Sequence, residues 1–100
     1  MLYSSSNAAP QIPAALNITG SQWALVGPVT FDTVAMLETT LDSTRASAAS
    51  VSLRDTTHID SSAVAFLVAI KRRHPDVQFT DVPVPLTQLA ELYGVQDLLL

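Results

Sequence analysis

The chain has 100 residues, of which 48% are hydrophobic and 14% are charged, so it is long and apolar enough for one domain with a packed core. It contains no cysteine, which excludes disulfide bonds, thiolate catalysis and cysteine-bound zinc. Its net charge is −4, with nine acidic residues against five lysines and arginines, and this balance leaves no basic surface for nucleic acid.

The first segment, residues 1–13, is predicted to be a flexible leader. It is rich in serine, alanine, asparagine and proline and has no hydrophobic periodicity. It lacks the basic and apolar regions of a secretory signal, and the longest apolar run, residues 63–70, is far shorter than the roughly 20 residues that span a bilayer. We therefore expect a single domain over residues 14–100 that stays in the cytoplasm, either soluble or held to a membrane through a partner.

A β-hairpin is predicted directly after the leader. Apolar and polar residues alternate from Ala14 and again from Trp23, on the two sides of a turn at Gly20. Gly27 and Pro28 are predicted to end the second strand, because proline cannot donate a ladder hydrogen bond.

Three helices are predicted in the rest of the chain. The first is expected to begin after Asp32, and the second to run from Ser61 to about Arg73. The third should begin near Pro85 and end at Gly94. The apolar stripes predicted for the first and third helices are Val34, Leu37, Leu41 and Ala48, and Leu86, Leu89, Ala90 and Tyr93.

Short strands are predicted between these helices, at residues 51–53 and 77–79. Strands that alternate with helices favour parallel pairing through right-handed crossovers. The predicted fold class is therefore α/β, a small mixed β-sheet with helices packed on it.

The tripeptide Asp60-Ser61-Ser62 stands at the start of the second and most apolar helix. Asp60 is a suitable N-cap, and ordinary capping accounts for this tripeptide on its own. Ser61 and Ser62 occupy the first turn, where free amides and the helix dipole favour an anion. A partner's carboxylate, or a phosphate carried on a serine, would also be stabilised here. These residues alone leave both interpretations open.

The helix that follows is apolar on every side over residues 63–70. If Val64, Leu67 and Ile70 face the sheet, an outward patch remains that continues from the two serines and ends in a basic residue. The residues predicted to point outward are Ala65, Ala69 and part of Phe66 or Val68, and the patch ends at Arg72. A smooth apolar patch with hydroxyl groups at one end is typical of a protein contact surface. The alternatives are that neighbouring helices cover the patch or that the run is a buried strand.

Residues 52–63, Ser-Leu-Arg-Asp-Thr-Thr-His-Ile-Asp-Ser-Ser-Ala, resemble the signature of STAS domains. In that family a strand leads into a loop that ends in Asp-Ser-Ser-Gly or Asp-Thr-Gly-Gly at the start of a helix. The resemblance extends from the strand at residues 23–27 onward, over nearly the whole domain. It implies a STAS-like fold, similar to anti-sigma factor antagonists, in a non-catalytic domain that needs no cofactor.

Two branches of this family imply different partners. In anti-sigma factor antagonists the second hydroxyl, here Ser62, is phosphorylated by a partner serine kinase that acts as the anti-sigma factor. In the cytoplasmic subunit of Mla-type phospholipid-transport ABC complexes, the hydroxyl directly after the aspartate, here Ser61, contacts the ATPase subunit. Residues 89–99 resemble the Leu-Tyr runs that end chains of this second branch, which serves outer-membrane lipid asymmetry. The predicted partner-binding residues are Asp60, Ser61, Ser62, Ala65, Phe66, Ala69 and Arg72.

Ala63 departs from the family pattern, in which glycine often follows the second hydroxyl. Glycine lets a partner backbone approach closely, and alanine only partly preserves that approach, so the departure weakens the expectation of a docking kinase.

The sequence contains no other cluster of residues that predicts catalysis or metal binding. His58, Asp60 and Ser61 contain the residue types of a hydrolase triad, but side chains this close in sequence rarely converge in triad geometry, so no enzyme is predicted. Residues 71–73 are a basic run at a helix end, read either as a solvated terminus or as a docking point for an acidic partner. The sequence has no metal-ligand cluster and no phosphate-binding glycine loop, so no metal or cofactor is expected.

Overall fold

The computed structural model describes residues 12–100, so residues 1–11 of the predicted leader lie outside the described part of the chain. The described residues form five strands and four helices. In chain order these are β1 (Ala15–Thr19), β2 (Gln22–Val29), α1 (Val34–Ser43), β3 (Ser50–Ser52), β4 (Thr56–Ile59), α2 (Ser61–Arg73), β5 (Gln78–Thr80), α3 (Val84–Leu92) and α4 (Gln96–Leu99). None of the helices formed by residues 12–100 has both the length and the hydropathy needed to cross a membrane.

The strands form a mixed sheet, which confirms the predicted α/β class. β1 pairs antiparallel with β2 in a hairpin closed at Gly20, whose φ of 59° suits a tight turn. β2 pairs in parallel with β3, and β3 pairs in parallel with β5. β4 also pairs in parallel with β2, further along that strand, so β3 and β4 follow each other beside β2.

β2 runs through Gly27 and Pro28 to Val29, so the prediction that these two residues end the strand is wrong. The pairing of β2 with β4 shifts register between Gly27 and Val29, and proline is tolerated at such an irregularity because no ladder bond is required of it. Gly27 has a φ of 75°, and its amide donates to the Asp55 carbonyl at 3.0 Å. A Cβ atom here would lie 2.6 Å from the carbonyl oxygen of Pro13, so this close crossing of two backbones requires glycine.

The helices pack on one face of the sheet, and the core lies between the sheet and the helices. Because side chains alternate between the faces of a strand, Trp23, Leu25 and Val51 point toward the helices and are buried. The helices contribute the buried residues Leu37, Leu41, Ala63, Val64, Phe66, Leu67, Ile70, Leu86, Ala90 and Leu99. Burial of each large apolar side chain of this kind stabilises the fold by about 1.5–3 kcal/mol.

The opposite face of the sheet carries small polar side chains. Asn17, Gln22, Ser50, Ser52 and Thr80 lie around a shallow depression of about 560 Å³. None of the residues that line this depression is ionisable, so it offers hydrogen-bonding groups but no acid or base.

All three predicted helices are present. α2 runs from Ser61 to Arg73 with Asp60 as its N-cap. α3 has a proline in its first turn, and Gly94 follows its end with a φ of 70°, as a C-terminal glycine should.

α1 and the end of α3 differ from the prediction. The N-cap of α1 is Thr33 rather than Asp32, and the helix ends at Ser43. Ala48 is buried, but it lies in the connection to β3 and not on the helix. Tyr93 is the C-cap of α3 and is 55% exposed, so its predicted place in a buried stripe is wrong. Because the helix ends before Tyr93, the period of the stripe does not extend to it.

Candidate functional site

The Asp60 turn lies at the edge of the sheet where β2 and β4 end. The two strands are parallel, and Val29 is paired with Ile59, so the segments that follow them leave the sheet side by side. One segment is the turn between β2 and α1, residues 30–33, and the other is Asp60 with the start of α2. The Asp60 amide donates to the Val29 carbonyl at 3.4 Å, which continues the pairing up to the residue that caps the helix.

The Asp60 carboxylate joins these two segments. Its Oδ1 accepts a hydrogen bond from the Ser62 amide at 2.8 Å, which confirms the predicted cap. Its Oδ2 accepts a second bond, from the Phe31 amide at 3.0 Å. The bond from Phe31 is the main cause that lowers the pKa of Asp60 below its ordinary value; bonds from Ser62 add to the effect, and partial burial opposes it. The carboxylate is therefore charged at neutral pH.

The two serines of the turn have different surroundings. Ser61 is exposed at the first position of α2, so a partner reaches its hydroxyl without disturbing the cap. Ser62 is half-buried, and its amide and hydroxyl both interact with Asp60. A group added to Ser62 would therefore lie beside an ionised carboxylate, whereas a contact to Ser61 would not.

Three of the other predicted contact residues share one face of α2 with Ser61. Ala65 and Arg72 are exposed, and Ala69 is half-buried. Counted from Ser61 they follow at intervals of four, four and three residues, so they form a continuous line along the helix. We term Ser61, Ala65, Ala69 and Arg72 the α2 stripe.

Phe66 does not belong to this surface, and its prediction as a partner-binding residue is wrong, because its side chain has no exposed area. Ala63, Phe66, Leu67 and Ile70 recur with the spacing of one helix face, and all four are buried. The sequence predicted only Val64, Leu67 and Ile70 as the buried face of α2. More residues are buried, because α1, α3 and α4 also contact α2. Neighbouring helices therefore cover part of the apolar run, as one of the alternatives predicted.

Phe31 is an exposed aromatic residue at this site that the sequence did not single out. Its side chain is 79% exposed although its amide is bound to Asp60. The turn that carries it is fixed by Thr33, whose Oγ1 accepts from the Thr30 amide at 3.0 Å and donates to the Pro28 carbonyl at 2.8 Å. An aromatic residue between a strand and a helix was the available signal, but its contact with Asp60 depends on the pairing of β2 with β4.

A second group of exposed apolar residues lies at the end of the chain. Leu92 is 75% exposed, Tyr93 is 55% exposed, and Leu98 and Leu100 are also exposed. We term these four residues the C-terminal apolar group. They lie in or directly after the segment whose sequence resembles the Leu-Tyr runs, and large exposed apolar side chains of this kind mark contact surfaces.

The basic run at the end of α2 is divided between different roles. Lys71 Nζ donates to the Val77 carbonyl at 3.0 Å, and Arg73 forms an ion pair with Asp42. These two cations are therefore engaged within the domain, one with the segment before β5 and one with α1. Arg72 belongs to the α2 stripe and is exposed, so it is the member of the run that is placed to meet a partner.

The residues of the hydrolase triad do not assemble. His58 is exposed, and its Nδ1 lies 3.3 Å from Oγ1 of Thr57. The Asp60 carboxylate binds the amides of Phe31 and Ser62 and so does not orient the imidazole. Within residues 12–100, no three histidine, cysteine or acidic side chains come together in a way that could hold a metal ion.

Comparison with known proteins does not assign the chain to a class. No protein-family model matches it, and a search of curated proteins finds no match. The function is therefore inferred from the motif and from the geometry of the Asp60 turn.

Proposed function

We propose that this protein is a non-catalytic STAS domain, similar to MlaB, that binds and regulates the ATPase subunit of an Mla-type phospholipid-transport ABC complex. Such a complex would maintain outer-membrane lipid asymmetry, and the chain would be held at the inner membrane through it. The observation that carries the proposal is the α2 stripe, which begins at the exposed hydroxyl of Ser61 and runs over alanine side chains to Arg72.

The chemistry of the stripe suits a protein partner. Small side chains at Ala65 and Ala69 allow a partner helix or loop to approach α2 closely, and the hydroxyl of Ser61 both donates and accepts hydrogen bonds. Arg72 adds a cation at the far end of the stripe, where an acidic group of the partner would be favoured. These features favour recognition of a protein partner as the role of the stripe.

The C-terminal apolar group supports the same partner. Leu92 and Tyr93 are too exposed to contribute much to the core, and aromatic residues are enriched at the centres of protein interfaces. We propose that this group forms a second part of the ATPase contact and that the ATPase alone hydrolyses nucleotide. The domain would act by stabilising or tuning the assembly of the ATPase.

The proposal is tested by co-purification of the ATPase with variants of the domain. Ser61→Arg places a bulky charge in the contact and should abolish co-purification, because an unmatched buried charge is strongly unfavourable. Ser21→Arg is the matched control, since Ser21 is exposed in the hairpin turn and is not part of the α2 stripe. Co-purification of the ATPase with Ser61→Arg at wild-type stoichiometry would overturn the site assignment.

A second function, an anti-sigma factor antagonist switched by phosphorylation of Ser62, is supported by the position of Ser62 in the first turn of α2, where the helix dipole favours a phosphate. It is supported less well than the first, because the phosphate would lie beside the ionised Asp60 carboxylate. Mass spectrometry of the protein from its native host separates the two functions: a Ser62 phosphopeptide with a co-purifying serine kinase supports the switch.

A further inference from the structure

We propose that Phe31 is the apolar anchor of the ATPase contact, and that it enters an apolar pocket of the ATPase whose rim carries lysine or arginine. This inference rests on the proposed function, and it names the chemistry of the partner surface at the Asp60 turn. It adds to the predicted site a residue that lies outside the motif and outside α2.

The exposure of Phe31 is the first support. Its side chain is 79% exposed, which is the highest value among the large apolar side chains within residues 12–100. An aromatic side chain buries about 150–250 Å² when it is enclosed, so a partner that covers this ring would gain much binding free energy from it. Aromatic residues that enter well-packed pockets are among the residues that dominate binding free energies.

The rigidity of the turn is the second support. The backbone of Phe31 is fixed by its bond to Asp60, and the turn around it is fixed by two bonds of the Thr33 hydroxyl. Ordering a loop on association costs free energy, and a loop that is already ordered avoids most of that cost. The backbone that carries the ring is therefore held by hydrogen bonds to the sheet and to the start of α2.

Asp60 places Phe31 and Ser61 in one rigid unit. The same carboxylate binds the Phe31 amide through Oδ2 and caps α2 through Oδ1, directly beside Ser61. The backbone segments that carry an aromatic ring and an exposed hydroxyl are thus joined at one edge of the sheet. Asp60 is a positioning residue in this arrangement, and it acts through the two segments that it joins.

The local charge defines the rim of the partner pocket. Asp32 is exposed next to Phe31, and Asp60 is ionised behind it. No lysine or arginine occurs in the two segments that meet here, residues 28–34 and 56–66. The two segments that hold the ring therefore carry a net negative charge, and a pocket with a basic rim complements them, whereas an acidic rim would repel them.

The test measures binding of the purified full-length protein to the ATPase of the same host. Phe31→Ala should weaken binding about 30-fold or more, the range of an interface hot spot. Val84→Ala is the matched control: Val84 is 67% exposed on the first turn of α3, and its truncation should leave binding unchanged. Thermal melting of each variant shows that the fold is kept, as expected for an exposed side chain.

Asp32→Lys tests the charge of the rim. It should slow association, and it should remove the decrease of the association rate with salt that is expected of the wild type. If Asp32→Lys associates as fast as the wild type, the basic rim is wrong.

The outcomes separate this inference from the proposed function. If the wild type does not bind the ATPase, the proposed function fails. If the wild type binds and Phe31→Ala binds equally well, only the anchor fails. If the wild type self-associates in sedimentation and Phe31→Ala is monomeric, a second copy of the chain covers the ring, and the anchor inference is also overturned.

Discussion

The amide of Phe31 donates a 3.0 Å hydrogen bond to Oδ2 of Asp60, a residue 29 positions further along the chain. The bond joins the turn after β2 to the N-cap of α2, two segments that are far apart in the sequence. Removing the carboxylate would leave two backbone amides without their acceptor and would free the turn of Phe31 from the start of α2. The Asp60 side chain therefore contributes both to the free energy of unfolding and to the shape of the candidate contact surface.

Asp60→Ala should lower the free energy of unfolding by about 1–2 kcal/mol, the usual cost of removing an N-cap. The loss of the bond to Phe31 should place the value at the upper end of that range. Urea denaturation measures the change. Asp32→Ala is the control, since Asp32 is exposed and is not the cap of α1, and it should change stability by less than about 0.5 kcal/mol. Equal effects of the two substitutions would contradict the role assigned to Asp60.

The stabilisation by Asp60 should depend on pH in the acid range. Because the pKa of Asp60 is lowered in the folded protein, the carboxylate stabilises the fold fully above its unfolded pKa, and this contribution is lost as pH falls through the folded pKa. The difference in unfolding free energy between wild type and Asp60→Ala should thus be constant near neutral pH and should shrink below about pH 4. Urea denaturation at several pH values measures it. A difference that stays unchanged in strong acid would show that the carboxylate charge is not the cause.

The features that the sequence predicted well are local ones. The start of α2 follows from Asp60 as a cap and from the apolar residues after it, and its end follows from His74-Pro75, because the residue before a proline disfavours helix. The mixed α/β sheet follows from the alternation of strands and helices. These properties depend on neighbours in the chain, so a single sequence contains them.

The features that were missed depend on pairing between distant segments. No strand is predicted at residues 56–59, because most of them are polar, and only their pairing with β2 makes them β4. Pro28 was read as a strand end because the register shift that accommodates it is invisible without β4. The contact between Phe31 and Asp60 depends on the same pairing, which is why the anchor was not found from the sequence.

Gly27→Ala should destabilise the protein more than Gly20→Ala. Both glycines have a positive φ, so each substitution carries a backbone cost of about 1–2 kcal/mol. A Cβ atom at Gly27 would also lie 2.6 Å from the Pro13 carbonyl oxygen, whereas nothing lies within 4 Å of a Cβ atom at Gly20. The difference in unfolding free energy between the two variants therefore measures the cost of the steric clash at Gly27. Equal effects would show that the two backbones can move apart and relieve the clash.

Phe66 and Ala65 are adjacent on α2, and substitutions at the two positions should have different effects on stability and on ATPase binding. Phe66→Ala removes a fully buried ring and should cost about 3–5 kcal/mol of unfolding free energy, because the cavity that it leaves cannot fully collapse. Ala65→Arg adds a long side chain to the exposed stripe and should change stability by less than about 0.5 kcal/mol, while it prevents co-purification of the ATPase.

Phe66→Leu is the control for the buried position, and it should recover much of the stability because it fills part of the same volume. Urea denaturation and co-purification, measured on all three variants, separate the two faces of the helix. A stable Phe66→Ala that loses the ATPase would return Phe66 to the contact surface. An unstable Ala65→Arg would show instead that the α2 stripe is part of the core.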